Sequence, residues 1–269
     1  MTMRLIAMRA ADTTALFFRM KDLIFDIKRV MSYAHYYPFE MPPITSNPNI
    51  VPSPLHIYGA LYDHFGDMDW WPAEEPFEVM VGAVLTQRTA WRNVEIALGN
   101  LREAGVVDMV ALLAISKADL EVLIRPSGTY RQKAIRLHDL FKTVNEKGEG
   151  SLGAFLDRPI RVLRADLMAV KGIGPETADS IVLYAAGKPS FVVDLYTRRA
   201  LTRLDIHAGR SYDEVARWFT DSIPKDAGLY NNYHAVLVEL AKMHCRPFPL
   251  CNGCPLMAMC PTGRGEKSP

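Results

Sequence analysis

The chain has 269 residues, 49% hydrophobic and 23% charged, the balance of an ordinary globular protein with room for one large domain or two modest ones. With 31 Lys and Arg against 30 Asp and Glu, the net charge of +1 announces no polyanionic partner by composition, so a claim of nucleic-acid binding must come from local motifs. No apolar run approaches the ~20 residues that span a bilayer, and Arg4, Arg9, Asp12, Arg19 and Lys21 break up any signal-peptide core, so the expectation is no membrane partner and a cytoplasmic, in a prokaryote nucleoid-associated, location.

Met1 to Tyr37 alternates apolar and charged residues loosely, after which Pro38, Pro42, Pro43, Pro48, Pro52 and Pro54 interrupt any regular element. Residues 1–52 read as an appendage and linker, although Leu23, Ile24, Ile27, Val30 and Met31 would equally give a docked helix an apolar stripe. From Pro54 onward the apolar period is helical. The predicted helices are His56 to Phe65, Phe77 to Thr86, Thr89 to Ala104, Val107 to Ala114, Lys117 to Ile124 and Tyr130 to Glu146. They continue with Ser151 to Leu156, Ile160 to Ala169, Pro175 to Ala186, Leu195 to Leu204, Tyr212 to Ser222 and Leu229 to His244. Only Ser190 to Val193 reads as extended. Ser116 and Asp119 suit a helix start, Gly105 and Gly187 helix stops, and Pro175 a first turn. The fold class is all-α.

Between two of these helices lies the turn Val170, Lys171, Gly172, Ile173, Gly174, Pro175, a helix-hairpin-helix pattern. Two glycines there open backbone conformations closed to other residues and leave amides free to meet a phosphate at the head of the next helix. A tight hairpin that merely packs its helices is the bland alternative. An aspartate follows at a set distance, in the run Ser190, Phe191, Val192, Val193, Asp194. It stands at a helix N-cap, and a buried carboxylate in such a place can also stabilise a developing positive charge.

The hairpin followed by Val193-Asp194 resembles the endonuclease III superfamily of helix-hairpin-helix DNA glycosylases, over roughly Ser53 to Cys260. The resemblance implies two helical subdomains flanking a DNA cleft: a six-helix part over 76–204 with the hairpin, and a flanking part from 53–75 and 205–269. It implies Asp194 as the catalytic carboxylate in the pocket for a flipped nucleotide, where it would stabilise an oxocarbenium-like sugar and position water. Members that also cut the abasic site place a lysine two residues after the second hairpin glycine; here that residue is Glu176. A carboxylate forms no Schiff base, so a monofunctional glycosylase is expected. Lys171, Gly172, Gly174 and Thr177 are the expected hairpin contacts to DNA.

All four cysteines, Cys245, Cys251, Cys254 and Cys260, fall in one Pro-interleaved stretch and read as a single site. Zinc and an iron–sulfur cluster share this ligand type. The spacing is similar to the C-terminal [4Fe-4S] loop of endonuclease III, with a first interval one residue shorter than commonest there, so the resemblance implies a [4Fe-4S] cluster of structural role.

Asp69-Trp70-Trp71-Pro72, Val81 to Gln87 and Arg125-Pro126-Ser127-Gly128 are similar to the 3-methyladenine DNA glycosylase III branch of that superfamily, some members of which lack the cysteine loop. That resemblance implies Trp70 and Trp91 as walls around an alkylated base, with Trp71 beside them and Lys242 in the pocket. A cationic N-methylated purine suits such faces through stacking and cation–π attraction. Gln87 matches the residue that fills the gap left in the duplex, and Arg131 and Lys133 are expected on backbone phosphate. The implied partner is double-stranded DNA with a damaged base, bound by a monomer. The competing readings are an oxidised-pyrimidine or uracil/thymine mismatch glycosylase, with or without lyase activity, and a non-enzymatic DNA-structure-binding or redox-sensing iron–sulfur module.

Overall fold

A computed structural model of the chain describes residues 51–68, 70 and 75–268. The appendage expected over 1–52 therefore lies, but for its last two residues, outside the described residues, as does Trp71. Among the described residues there are twelve α-helices and no strand. In chain order they are α1 (Pro54–Phe65), α2 (Pro76–Leu85), α3 (Trp91–Glu103), α4 (Met109–Ala114), α5 (Lys117–Leu123) and α6 (Tyr130–Lys147). Then follow α7 (Leu152–Leu156), α8 (Ile160–Ala169), α9 (Pro175–Ser180), α10 (Leu195–Arg203), α11 (Tyr212–Thr220) and α12 (Ala227–Met243). Each predicted helix is present, with ends shifted by a few residues.

The ends are set by capping chemistry. Ser53, Asp108, Ser116, Ser151, Asp194, Ser211 and Asp226 each accept a hydrogen bond from an amide in the first turn of the helix they precede. Ser211 and Glu214 close a full capping box at α11.

The apolar faces of these short helices bury into two cores. The first runs from Phe77 to Val182 and joins α2 to α9, with Met80, Val84, Leu137, Phe141 and Leu163 at its centre. The second joins Ile57, Tyr58 and Leu61 of α1 to Leu183, Phe191–Val193, α10, α11, Tyr233, Val236 and Leu240 of α12, and Leu256. Each fully buried large side chain contributes about 1.5–3 kcal/mol over its exposed state. The cores divide between Val182 and Leu183, inside the π-helical turn Ile181–Ala185 that continues α9. Phe191 to Leu204, expected with the central part, thus pack in the flanking one.

The extended segment has no strand partner among the described residues; side chains hold it. The Phe191 ring stacks on Phe219 at 4.1 Å and meets Tyr233 edge-on, and the Val193 amide donates to the Tyr212 hydroxyl oxygen at 3.2 Å. Ser190 donates to Asp179, which also takes two hydrogen bonds from Arg164. This anchored segment ends at Asp194. Helix α12 is buried along most of its length and packs on α1, α10 and the π-helical turn.

Candidate active site

The hairpin turn joins α8 to α9. Gly172 has φ +89°, a backbone conformation that favours glycine, and a Cβ there would fall 2.3 Å from the Arg136 side chain, which would have to shift. Gly174 differs from the expectation: its φ of −89° and ψ of 177° suit any residue, and a Cβ would meet nothing within 4 Å. Lys171, Gly172 and Gly174 are exposed.

Gln87 is fastened to this turn. Its amide nitrogen donates to the Gly172 carbonyl at 3.1 Å and the Thr177 hydroxyl at 3.0 Å, while its oxygen accepts from Arg136 at 2.6 Å. Thr177 is buried, so its hydroxyl is spent inside the protein and does not reach DNA, a correction to the sequence reading. Lys133 is corrected more fully. It is completely buried, and its ammonium donates to the Leu85 carbonyl at 2.8 Å and the Ser127 carbonyl at 2.6 Å, tying the end of α2 to the turn before α6. Burial first, then the Arg136 charge, lowers its pKa to about 8. Arg131 remains exposed, against Glu121 at 3.8 Å and the Tyr130 ring. The loops holding Gln87 and the Arg125–Gly128 turn each carry a left-handed residue other than glycine, Arg88 at φ +56° and Thr129 at φ +43°, local strain of the kind that collects at binding sites.

Asp194 combines two roles, one on each oxygen. Oδ1 accepts from the Thr197 amide at 2.7 Å and the Thr197 hydroxyl at 2.8 Å, capping α10. Oδ2 faces Nε2 of His234 at 3.5 Å. Burial would raise the pKa, but the facing His234 imidazole and the two Thr197 donors outweigh it and hold the carboxyl below its ordinary value. His234, itself buried, meets the Tyr184 hydroxyl through Nδ1 at 2.5 Å.

Neither His234 nor Tyr184 was singled out in the sequence. Tyr184 ends an apolar run and His234 sits among apolar residues of α12, so both resemble ordinary core positions. The one available signal was that His234 lies eight residues before Lys242, about 12 Å along a helix, on the helix already implicated.

Trp70 and Lys242 are brought together, the Lys242 ammonium standing 4.9 Å from the centroid of the Trp70 ring. Lys242 also pairs with Glu239 at 3.3 Å. The Trp70 indole N–H is buried with no hydrogen-bond partner among the described residues. Trp91 opens α3, packs against the first core and donates its indole N–H to Glu95 at 2.9 Å. Glu176 is exposed at the head of α9, yet its pKa is raised, first by desolvation and then by the charge of Asp194. The hairpin therefore carries a carboxyl within electrostatic reach of Asp194.

The four cysteines are half-buried and unbridged and line one pocket with Arg203, Leu256 and Thr262. Arg203 donates to Cys245 Sγ at 3.2 Å and to the carbonyls of Arg246 and Pro247, and the Gly263 amide faces Cys260 Sγ at 3.4 Å. Burial first, and then the charges of the other three sulfurs, push the Cys254 thiol up to about 11 against the Leu256 amide. Among the described residues no three His, Cys, Asp or Glu side chains converge on a single ion-sized point.

Known proteins share this architecture. A Methanocaldococcus jannaschii protein, named provisionally as a DNA repair glycosylase, is 44% identical over 206 residues, 76% of this chain and 94% of the relative. The crystal structure of the H. pylori 3-methyladenine DNA glycosylase bound to 1,N6-ethenoadenine superposes with a TM-score of 0.62 at 30% identity, covering 71% of this chain and 98% of that one. A non-covalent endonuclease III–DNA complex superposes with a TM-score of 0.68 at 26% identity, over 78% of this chain and 95% of that one. Residues 81–225, which hold the hairpin, Asp194 and the Gln87 loop, match the family model of the HhH-GPD superfamily of base excision DNA repair proteins, and the chain belongs to that family.

Proposed function

We propose that the chain is a monofunctional DNA N-glycosylase that binds duplex DNA as a monomer and hydrolyses the bond between deoxyribose and an alkylated purine of the 3-methyladenine class. The observation that carries the reading is the division of labour on Asp194: one oxygen is immobilised by Thr197 and the other, kept ionised, faces His234 Nε2 and takes no part in the cap. Cleaving the glycosidic bond builds positive charge on the sugar, and a fixed, buried carboxylate stabilises that charge without reorganising. Water then adds its oxygen to the sugar carbon and gives up a proton to the carboxylate, while the methylated base departs with the electrons of the broken bond.

Trp70, with Lys242 above its ring, supports an aromatic wall for the extruded base. Alkylated purines carry a weakened glycosidic bond, so modest stabilisation in such a pocket discriminates them from normal bases. Glu176 beside Asp194 supports hydrolysis over β-elimination, because a carboxyl cannot form the imine that elimination requires. Gly174, whose backbone and surroundings would accept any side chain, gains a reason to be glycine if a phosphate approaches the hairpin there. Lys171 and Arg131, both exposed, are the side chains that remain for the DNA backbone.

The cysteine loop fits a [4Fe-4S] cluster held by Cys245, Cys251, Cys254 and Cys260. All four sulfurs line one cavity, and Arg203 and a backbone amide offset negative charge on sulfur. When bound, the cluster cross-links the loop; glycosidic hydrolysis needs no redox chemistry. The test of the whole reading is excision from duplexes bearing 3-methyladenine, thymine glycol or uracil opposite guanine, with borohydride added to trap any imine. Release of methylated base with no trapped complex is the expected result; a trapped complex would overturn the monofunctional assignment.

A further inference from the structure

Tyr184, His234 and Asp194 form a line of polar contacts drawn from three separate parts of the chain. Burial and the Asp194 charge hold the Tyr184 hydroxyl well above its ordinary pKa, so it keeps its proton, and His234 Nδ1, 2.5 Å away, is placed to accept it. An imidazole that accepts at Nδ1 carries its proton on Nε2. Nε2 is buried, has no hydrogen bond of ordinary length, and points at Asp194 Oδ2.

We propose that His234 is a positioning residue for Asp194: the Tyr184 hydroxyl, donating to Nδ1, leaves the imidazole its Nε2–H to present to Oδ2 and so fixes the direction of the catalytic carboxylate. The inference rests on the function proposed above. Thr197 already fixes Oδ1, so the His234 contact decides how the second oxygen is aimed. At 3.5 Å that contact is longer than a formed hydrogen bond, and such contacts tighten in the substrate complex. The π-helical turn has a use here, since it sets the register from which Tyr184 reaches His234. The titratable groups around the imidazole are Asp194 of α10, Tyr184 of the π-helical turn and Glu176 of α9.

The test compares His234→Phe, His234→Gln, Tyr184→Phe and Asp194→Asn in the full-length protein. The probe is the lesion duplex of the panel that the wild type releases fastest. His234→Phe is expected to slow single-turnover excision by about 10²-fold, with affinity for the duplex unchanged and the acid limb of the rate–pH profile moved to higher pH. His234→Gln, whose amide can still offer an N–H to Oδ2, should recover most of that rate and the wild-type limb, and Tyr184→Phe should fall between. Equal loss in the Phe and Gln variants with an unmoved profile, or full activity in both while Asp194→Asn is inactive, would overturn the proposal and leave the proposed function standing. An active Asp194→Asn, or a wild type that releases no lesion, would instead strike the proposed function. The ¹⁵N spectrum of the His234 ring then decides the donor chain without turnover: a protonated Nε2 and an accepting Nδ1 at neutral pH are expected, and the opposite tautomer or an imidazolium would refute it.

Discussion

Asp194 gives one oxygen to the cap of α10 and turns the other to His234, so the cap and the proposed stabilisation of a cation draw on different oxygens. Stability and catalysis can therefore be separated by substitution. Asp194→Asn keeps an acceptor for the Thr197 donors and should melt close to wild type, yet lose excision by about 10²–10³-fold or more. Asp194→Ala should lose the same activity and in addition about 0.5–2 kcal/mol of cap energy, seen as a lowered Tm. Because the folded-state pKa of Asp194 is depressed, its contribution to stability is complete above its ordinary value of 3.8 and is lost as pH falls through the lower folded value. Lys133 runs the other way. Its folded pKa of about 8 lies below the ordinary 10.5, so the unfolded chain binds more protons between these values and the fold should gain stability as pH rises from about 8 to 10.5. Lys133→Met should abolish that slope and cost about 1–3 kcal/mol at neutral pH, since two carbonyls lose their donor, while duplex affinity per folded molecule stays unchanged. A fall in affinity would restore the phosphate role that burial argues against.

At the scale of elements, the hairpin makes opposite demands on its two glycines. Gly172→Ala meets both a left-handed backbone and the Arg136 side chain, and should destabilise the fold by about 1–3 kcal/mol, visible in a denaturant midpoint. Gly174→Ala meets neither and should leave stability alone, but weaken duplex binding if a phosphate approaches that backbone. Helical periodicity made the twelve helices legible, because an apolar stripe every three or four residues is a local property. The N-cap place of Asp194, ahead of the helix that starts at Leu195, was legible as well. What stayed hidden was set by packing between distant segments: Lys133 reads as a surface lysine until Leu85 and Ser127 close over it. Thr177 reads as part of a phosphate loop until Gln87 reaches it from 90 residues away. Tyr184 and His234, 50 residues apart, carry no joint signal, and their meeting depends on the π-helical turn and α12 packing together.

At the scale of the molecule, the two cores part at Leu183 while the reacting groups gather from both sides of that division. Glu176 comes from the first, and Asp194 and His234 from the second. The cysteine loop braces the second core, since Arg203 at the end of α10 hydrogen-bonds Cys245 and two loop carbonyls. Purified protein is expected to carry iron and acid-labile sulfide in equal amounts. Cys251→Ala should lose both and melt at lower temperature, whereas zinc in place of iron would refute the cluster. The most direct test of the central claim is single-turnover excision by the wild type and Asp194→Asn on duplexes carrying 3-methyladenine, thymine glycol, uracil opposite guanine, or undamaged bases only. The account predicts that the wild type releases 3-methyladenine fastest, without strand cleavage, and that Asp194→Asn does not. Preferential release of thymine glycol or uracil would contradict the alkylated-purine pocket at Trp70, and full activity in Asp194→Asn would contradict the catalytic assignment itself.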